Sequence, residues 1–335
     1  MFGSRRMSAP LHPTYFADPH VLLLGDGTYV AYGTGRPPAT GPAVFEALIS
    51  QDLTAWSAAG PVMQRQPDEL GDEYWAPEVV EADGAWWLFY SVGRGIEGHH
   101  IRVARADHPL GSFIDQDVNL TPDETFAIDA HPFRDEDGAW YLFYARDVLD
   151  HPRPGTHLAV VRMASMTATE GPAVEVLAPN ADWQIFERQR RMYGKTLDWH
   201  TLEGPAVVRR HGRYWITYSG GAWTGPGYAV KWAVANSPTG PWEHAPLDAP
   251  PLLSTATTGL PGPGHNSLTT MPDGSDAIVF HAWDDARDSR LMRARSITFG
   301  ADRPVVGDEI TTRQRQFAPI ADIRAKAPSI ITDIA

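Results

Sequence analysis

The sequence predicts an all-β protein, a five-bladed β-propeller whose blades are four-stranded antiparallel sheets around a central axis. Three features support this prediction: a repeated hairpin pattern, abundant glycine and proline, and the spacing of polar residues before each hairpin. The 335 residues include 30 glycines and 29 prolines, scattered along the whole chain. This composition favours many short strands joined by turns and disfavours long helices.

The hairpin pattern consists of a glycine-containing turn followed by a strand of aromatic and aliphatic residues. Its five copies contain Gly27, Gly84, Gly138, Gly212 and Gly274. Glycine readily takes the positive φ that tight hairpin turns require. A four-stranded unit repeated around an axis is typical of a propeller, with a generic β-sandwich as the alternative. We therefore predict one domain over residues 1–335, with an insertion at about 164–200 that forms a loop or short helix on one rim.

Composition and charge exclude several classes of function. The net charge of −13 argues against nucleic acid or a membrane surface as a partner, because phosphate binding needs clustered Lys and Arg. The absence of cysteine excludes disulfides, thiolate metal sites and a cysteine nucleophile. The first ten residues contain Arg5 and Arg6 but no apolar segment after them, so we expect a cytoplasmic protein without a secretory signal. The oligomeric state is left open.

Chemically distinctive residues stand nine positions before each of the five turn glycines. They are Asp18, Trp75, Asp129, Glu203 and His265. The innermost strand of each propeller blade lines the central channel, so equivalent positions on five blades form a ring around the axis. An aspartate before proline is by itself typical of a turn. Three carboxylates in the same position of the repeat instead predict a chemically active ring.

These segments resemble glycoside hydrolase family 43, and the resemblance covers about residues 15–300. The matching segments are Ala17-Asp18-Pro19, Trp75-Ala76-Pro77-Glu78, Ile128-Asp129, Glu203-Gly204-Pro205 and Gly264-His265-Asn266-Ser267. The resemblance implies a propeller enzyme that hydrolyses glycosidic bonds with inversion of the anomeric configuration. It further implies Asp18 as the general base, Glu203 as the general acid, and Asp129 as the residue that positions Glu203 and modulates its pKa.

Hydrolysis with inversion needs two carboxyl groups roughly 6.5–9.5 Å apart, so that a water molecule fits between the base and the sugar. Asp18 in the first blade and Glu203 in the fourth are not neighbours on a ring of five, so we expect them to face each other across the channel. Asp129 belongs to the third blade. Its negative charge is expected to raise the pKa of Glu203 and keep that residue protonated near neutral pH.

Trp75, His265 and Arg290 are predicted to bind the substrate. Trp75 offers a flat apolar face to a sugar, with a core tryptophan as the alternative, and Arg290 either reaches sugar hydroxyls or stays on the surface. No cofactor is expected to be required. His265 is expected to hold water or a cation, and a calcium ion there would be mostly water-coordinated because calcium prefers oxygen ligands. Structural roles are expected for four residues near the ring positions, His131, His200, Trp223 and Glu78.

The expected substrate is an oligosaccharide with a terminal α-L-arabinofuranosyl residue, cleaved in an exo manner because the 164–200 insertion suggests a closed pocket. A β-D-xyloside and another furanoside, such as a galactofuranoside, remain open. A non-catalytic sugar-binding propeller is the alternative from another class of protein. That alternative requires aromatic residues in the channel but gives no reason for three acids in the same position of the repeat.

Overall fold

The computed structural model describes residues 9–311, which form 21 β-strands, one short α-helix, α1 (Thr255–Thr258), and two 3-10 turns, Asp68–Leu70 and Asp182–Gln184. Three blades are separate four-stranded antiparallel sheets whose strands follow the chain order. Blade 1 contains β1 (Ala17–Leu23), β2 (Tyr29–Thr34), β3 (Ala43–Ser50) and β4 (Ser57–Gln64). Blade 2 contains β5 (Glu73–Ala82), β6 (Ala85–Arg94), β7 (Glu97–Ala106) and β8 (Ile114–Asn119). Blade 5 contains β18 (Gly264–Thr270), β19 (Asp276–Trp283), β20 (Arg290–Phe299) and β21 (Pro304–Glu309).

The third and fourth blades are joined by a short parallel pairing and form one continuous nine-stranded sheet. Blade 3 contains β9 (Ala127–Arg134), β10 (Trp140–Val148), β11 (Gly155–Ser165) and β12 (Ala168–Leu177). Between the two blades lies one extra strand, β13 (Ile185–Met192). Blade 4 contains β14 (Lys195–Arg210), β15 (Arg213–Gly220), β16 (Ala229–Ala235) and β17 (Glu243–His244).

The first strands of the five blades contact one another in a closed circle. β1 contacts β5 and β18, β9 contacts β5 and β14, and β14 contacts β18. These strands therefore surround a central axis, as the innermost strands of a propeller do. The predicted five-bladed β-propeller is confirmed.

Five separate hydrophobic clusters fill the spaces between neighbouring blades, in place of one central core. Successive residues of a strand point to opposite faces of the sheet. In β10, for example, Leu142 and Tyr144 belong to the cluster between blades 2 and 3, whereas Phe143 and Ala145 belong to the cluster between blades 3 and 4. This burial on both faces explains why the repeated second strands are apolar along their length.

The predicted insertion at 164–200 is partly wrong in its bounds and in its structure. Residues 168–177 are the outer strand of blade 3, so the insertion begins after them. It is mainly a β-hairpin, formed by β13 and the first half of β14, and the short helix expected there is limited to one 3-10 turn, Asp182–Gln184, before the hairpin. The turn residues Tyr193 and Gly194 both have positive φ, of 51° and 71°, which is the type I′ geometry favoured in two-residue hairpins. We call residues 185–200 the insertion hairpin.

The five glycine turns have two different lengths. Blades 2 and 4 use two-residue turns, in which Asp83 and Gly84, or His211 and Gly212, all have positive φ. Blades 1, 3 and 5 use five-residue turns, with the glycine at the fourth position. The glycine therefore stands two residues beyond the first strand in two blades and four residues beyond it in the other three.

Within residues 9–311, no helix has the length and apolar character that a membrane-spanning helix needs.

We predict that Gly155→Ala destabilises the junction between blades 3 and 4. A Cβ atom at Gly155 would lie 1.9 Å from the backbone oxygen of His200, and the residue has a φ of +151°. Because backbone on both sides must shift, we expect a loss of about 2 kcal/mol or more in the free energy of unfolding. Gly35→Ala is the matched control, since nothing lies within 4 Å of its added Cβ. Equal midpoints of thermal unfolding for the two variants would contradict this prediction.

Candidate active site

Each first strand contains a β-bulge close to the axis. Strand pairing skips two residues in the segments 17–20, 75–78, 128–131, 203–206 and 264–267. The second residue of each segment has a φ between 45° and 61°, and these residues are Asp18, Ala76, Asp129, Gly204 and His265. A bulge of this kind redirects side chains and is common beside active sites. The five bulges are the structurally equivalent positions of the propeller.

The constant offset of nine residues therefore does not mark one equivalent position in every blade. Asp18, Asp129 and His265 occupy the bulge position with positive φ, whereas Trp75 and Glu203 lie one residue before it. The reason is the turn length, because the shorter turns of blades 2 and 4 bring the glycine nearer to the bulge. All five residues nevertheless line one cavity of about 300 Å³, together with Arg290.

The bulges are tied to the neighbouring blades through their backbone amides. In four of them, the backbone amide of the residue with positive φ donates to a side chain on the second strand of the preceding blade. The pairs are Ala76 with Thr34 (2.8 Å), Asp129 with Ser91 (3.0 Å), His265 with Ser219 (2.7 Å) and Asp18 with His281 (3.1 Å). The amide of Gly204 in the fifth bulge donates instead to Asp129 Oδ2 at 2.9 Å.

Asp18 is a buried carboxylate among cationic groups. Arg290 Nη1 donates to Asp18 Oδ1 at 3.2 Å, and His265 Nδ1 lies 3.5 Å from the same oxygen. Burial alone would raise the pKa of this carboxyl, but the charges of Arg290 and His265 hold the pKa well below its usual range. Asp18 is therefore ionised throughout the neutral pH range.

Arg290 is part of the cavity wall and not a surface residue. Its Nε and Nη2 atoms donate to the Tyr15 hydroxyl at 2.8 and 2.6 Å. The guanidinium lies 4.5 Å from the ring centroid of Trp223, which also lines the cavity. These contacts leave Arg290 one fixed orientation, in which it faces Asp18.

Glu203 is held by a residue that the sequence did not indicate. The Tyr228 hydroxyl donates to Glu203 Oε1 at 2.5 Å. Tyr228 is buried, stacks on His281 at a centroid distance of 5.9 Å, and packs against Gly264, where a Cβ atom would lie 2.0 Å from the tyrosine ring. Tyr228 therefore fixes the direction of the Glu203 carboxyl group.

Asp129 and Glu203 share an environment that favours protonation of one of them. Burial, and then the charge of Asp129, raises the pKa of Glu203 to about 7. Burial also raises the pKa of Asp129, to about 6, although the nearby His265 opposes this shift. The two carboxyl groups therefore titrate as a pair, and burial and mutual repulsion favour a state in which one of them keeps a proton. The expectation that Asp129 raises the pKa of Glu203 agrees with this arrangement, but burial is the larger cause.

His265 stands between the acidic residues. Its Nδ1 atom is 3.5 Å from Asp18 Oδ1 and 3.7 Å from Asp129 Oδ2. Burial lowers the pKa of His265, but the charges of Asp18, Asp129 and Glu203 outweigh burial and raise it above its ordinary value. In this position the imidazole lies between Asp18 and Asp129, and their charges favour its protonated form.

The sequence allowed a calcium ion near His265, but the described residues do not form a set of side chains that could bind it directly. Among residues 9–311, no group of three or more His, Asp or Glu side chains is arranged to hold a metal ion. His265 faces carboxylates as an ion-pair partner, and calcium prefers oxygen ligands. The residues present therefore do not fit a directly coordinated ion, and a water-coordinated calcium ion on the axis stays a prediction.

Trp75 lines the cavity and is also supported from behind. Its ring stacks on the buried His99 at a centroid distance of 3.8 Å and an angle of 16°. One face of the indole is therefore fixed by packing, while the residue contributes to the cavity wall. The two alternatives for Trp75, substrate contact and structural packing, are compatible in this geometry.

The residues near the ring positions divide into two groups. Glu78 and His131 lie on the strands that line the axis, and His131 Nδ1 donates to Glu78 Oε2 at 2.8 Å because its Nε2 accepts the Val207 amide. His200 lies where β14 meets β11. These three have structural partners, as expected. Trp223 differs from that expectation, because it lines the cavity.

The insertion hairpin supplies one wall of the cavity. Its residues there are Phe186, Arg190, Met192 and Trp199. The Tyr193 hydroxyl donates to Asp147 Oδ2 at 2.7 Å, which ties the turn of the hairpin to blade 3. The hairpin thereby stands over one side of the axial site.

Sequence reasoning missed Tyr228, His281 and Tyr15 because each contacts its partner in the cavity wall, Glu203, Asp18 or Arg290, across more than 20 positions of the chain. Tyr228 follows a glycine-rich loop that has no repeated pattern. The polar residues of the second strands were more accessible to prediction. Ser91 and Ser219 both follow a tyrosine at the end of an apolar run, which is an unusual place for a hydroxyl.

A buried carboxylate held ionised near a carboxyl group held protonated is the arrangement of an acid–base glycosidase. The chain belongs to glycosyl hydrolases family 43, whose family model matches residues 7–302. It is therefore a glycoside hydrolase, and the alternative of a non-catalytic sugar-binding propeller is wrong.

Several characterised proteins are similar to the chain. An extracellular exo-α-(1→5)-L-arabinofuranosidase of Streptomyces chartreusis is 29% identical over 282 residues, which is 79% of each chain. A β-D-galactofuranosidase of Aspergillus niger is 28% identical, over 84% of this chain and 79% of that enzyme. The crystal structure of a thermostable family-43 glycoside hydrolase superposes with a TM-score of 0.76 at 26% identity, over 93% of this chain and 97% of that one.

The expectation of a cytoplasmic protein is wrong. The similar enzyme of Streptomyces chartreusis is named extracellular, and so is a second relative from Streptomyces avermitilis. The chain spans 79% of the first of these enzymes but only 60% of the second.

We predict that Tyr228→Phe raises the pKa of Glu203. The tyrosine hydroxyl donates to the carboxyl group and so favours its ionised form. A hydrogen bond to a charged group contributes about 1.5–3 kcal/mol, and 1.36 kcal/mol corresponds to one pKa unit. We therefore expect the alkaline limb of the kcat/KM profile to move up by about one pH unit. Tyr218→Phe is the control, since that buried hydroxyl contacts His244. An unchanged alkaline limb in Tyr228→Phe would show that the hydroxyl does not influence Glu203.

Proposed function

We propose that the protein is an exo-acting, inverting α-L-arabinofuranosidase that removes terminal arabinofuranosyl residues from oligosaccharides. The observation that carries the proposal is that two buried carboxyl groups line one cavity in opposite environments: cationic groups lower the pKa of Asp18, whereas burial and Asp129 raise the pKa of Glu203 to about 7. Such a pair supplies a base and an acid at the same pH.

Asp18 is assigned as the general base. An ionised carboxylate accepts a proton from water as the water attacks the anomeric carbon. Arg290 and His265 orient its Oδ1 atom, and its bulge conformation directs the side chain toward the cavity. The positive charges weaken Asp18 as a base, but they also keep it unprotonated while a neutral sugar displaces water from the site.

Glu203 is assigned as the general acid. Its pKa of about 7 leaves it protonated over the mildly acidic range, where it can donate a proton to the leaving oxygen. Asp129 contacts the amide of Gly204, the residue after Glu203, and so lies beside the acid. Its assigned role is to modulate the pKa of Glu203 and to hold the local backbone.

Exo action is supported by the shape of the cavity. Its volume of about 300 Å³ lies at the lower end of the range for ligand-binding pockets. The insertion hairpin forms one wall, and Trp75 and Trp223 contribute aromatic surfaces at other points of the lining. A pocket of this size suits the terminal residue of a chain better than the interior of a polysaccharide.

The choice of sugar rests on relatives. The Streptomyces enzymes are named exo-α-(1→5)-L-arabinofuranosidases, which favours an arabinofuranoside. The Aspergillus relative makes a β-D-galactofuranoside the second candidate. A relative named β-xylosidase, 26% identical over 67% of the chain, makes a β-D-xyloside the third.

The substrate and the stereochemistry are tested together. We expect the p-nitrophenyl α-L-arabinofuranoside to be hydrolysed with at least about tenfold higher kcat/KM than the β-D-galactofuranoside or the β-D-xyloside, since one misfitting group in a pocket changes specificity by 10- to 200-fold. Proton NMR of the first product should show the inverted anomer, because direct attack by water forms no glycosyl-enzyme intermediate. Preference for another sugar would correct the substrate only. A retained anomer would contradict the assigned mechanism.

The residue roles are tested by the leaving group. Asp18→Asn should reduce kcat by about 10²-fold or more on every substrate, since general-base catalysis contributes about 10²–10⁴-fold. Glu203→Gln should cost a similar factor on arabino-oligosaccharides but much less on aryl glycosides, whose leaving groups need little protonation. Glu73→Gln is the control, because Glu73 lines the same cavity but is not one of the ring residues. Equal losses on both substrates in Glu203→Gln would exclude Glu203 as the acid.

A further inference from the structure

One position on the second strand of each blade lies directly opposite the start of the bulge. The residues at this position pair with Ala17, Trp75, Ile128, Glu203 and Gly264, and they are Thr34, Ser91, Ala145, Ser219 and His281. Four of them accept the bulge amide of the next blade through a side-chain oxygen or nitrogen. Ala145 in blade 3 has no polar atom in its side chain.

In the other blades, the residue at this position accepts the bulge amide of the next blade. For Ala145 in blade 3, the corresponding amide is that of Gly204 in blade 4. A buried amide without a partner is costly, so another acceptor must replace the missing side chain. Asp129 Oδ2 does so at 2.9 Å. Ala145 is fully buried and belongs to the same hydrophobic cluster as Leu202 and Val207, which flank the bulge.

Gly204 itself leaves room for this contact. Its φ is +56°, and a Cβ atom there would lie 3.2–3.3 Å from the ring of His265. Any larger residue would crowd the imidazole that pairs with Asp18 and Asp129. Two residues with little or no side chain, Ala145 and Gly204, therefore lie beside the contact between the Gly204 amide and Asp129.

We infer that Ala145 is a positioning residue for the acid pair. Because it offers no acceptor to the Gly204 amide, that amide is left to Asp129 and fixes the carboxylate beside Glu203. The inference rests on the proposed function in that Glu203 is taken as the acid. It adds a residue outside the cavity lining that determines where the proton of the pair resides.

The charges around Asp129 define the consequence. His265 from β18, Asp18 from β1, Glu78 from β5 and Glu203 from β14 all act on it. An amide that donates to a carboxylate favours its ionised form. If Asp129 loses this donor, its carboxyl group competes better for the shared proton. The proton then moves from Glu203 to Asp129, and Glu203 is ionised in a larger fraction of molecules.

The test is Ala145→Ser, which places at this position the side chain that blades 2 and 4 already carry. Ala145→Thr and Ala145→Val form a matched pair, because the two side chains have nearly the same shape and only threonine has a hydroxyl. For the serine and threonine variants, we expect a loss of about tenfold in kcat/KM on arabino-oligosaccharides relative to aryl arabinofuranosides, equivalent to one pKa unit. The alkaline limb should rise by about one pH unit, because the doubly ionised pair loses its amide donor. The valine variant should change neither quantity.

Carboxyl ¹³C NMR titration of the same proteins without substrate separates this inference from the proposed function. In the wild type, the titration step near pH 7 should belong to the signal that disappears in Glu203→Gln. In Ala145→Ser, that step should move to Asp129. If it moves while no glycoside is hydrolysed, the inference stands and the proposed function fails. If threonine and valine variants titrate alike, or if the step stays on Glu203 in the serine variant, the inference is wrong.

Discussion

The left-handed bulge in each first strand is the constraint on which the rest of the site depends. A residue with positive φ turns the strand so that its neighbours reach the axis, but it also removes its amide from the regular ladder of the sheet. A buried amide needs a partner, and in four blades that partner comes from the preceding blade. Near the axis, one hydrogen bond per bulge thus both satisfies the backbone and ties neighbouring blades together. The five hydrophobic clusters join the blades farther out.

The charges at the axis favour the protonated form of one carboxyl group. Arg290 and His265 lie beside Asp18, and His265 also lies beside Asp129. Glu78 adds a further buried carboxylate to the surroundings of Asp129 and His265. An unpaired buried charge is strongly unfavourable, and the direct partner of Glu203 is the neutral Tyr228 hydroxyl. Burial and the charge of Asp129 therefore raise the pKa of Glu203.

Much of the fold and the acidic ring followed from the sequence because both depend on local pattern. The second strands are buried on two faces, so they form apolar runs that follow a glycine turn, and their number gives the number of blades. The nine-residue offset found five residues that line one cavity, but the reason given for it was incomplete. Counting back nine residues from the glycine reaches the bulge position in blades 1, 3 and 5, which have five-residue turns. In blades 2 and 4, which have two-residue turns, the same count reaches Trp75 and Glu203, one residue before the bulge position. Tyr228 and His281 had no such local pattern, since their roles arise only when blades 4, 5 and 1 pack together.

The insertion hairpin is a second feature that the local sequence pattern did not predict correctly. Its sequence has the alternation and the turn of a hairpin, but its length and its place between two blades obscured where blade 3 ended. Repetition makes a propeller stable, whereas catalysis requires the five blades to differ at the axis. Glu203 stands one residue before the bulge position that Asp18 and Asp129 occupy, and the bulge position itself is glycine in that blade alone. The site therefore arises where the repeat is broken, so the residues that depart from the pattern carry more functional information than those that keep it.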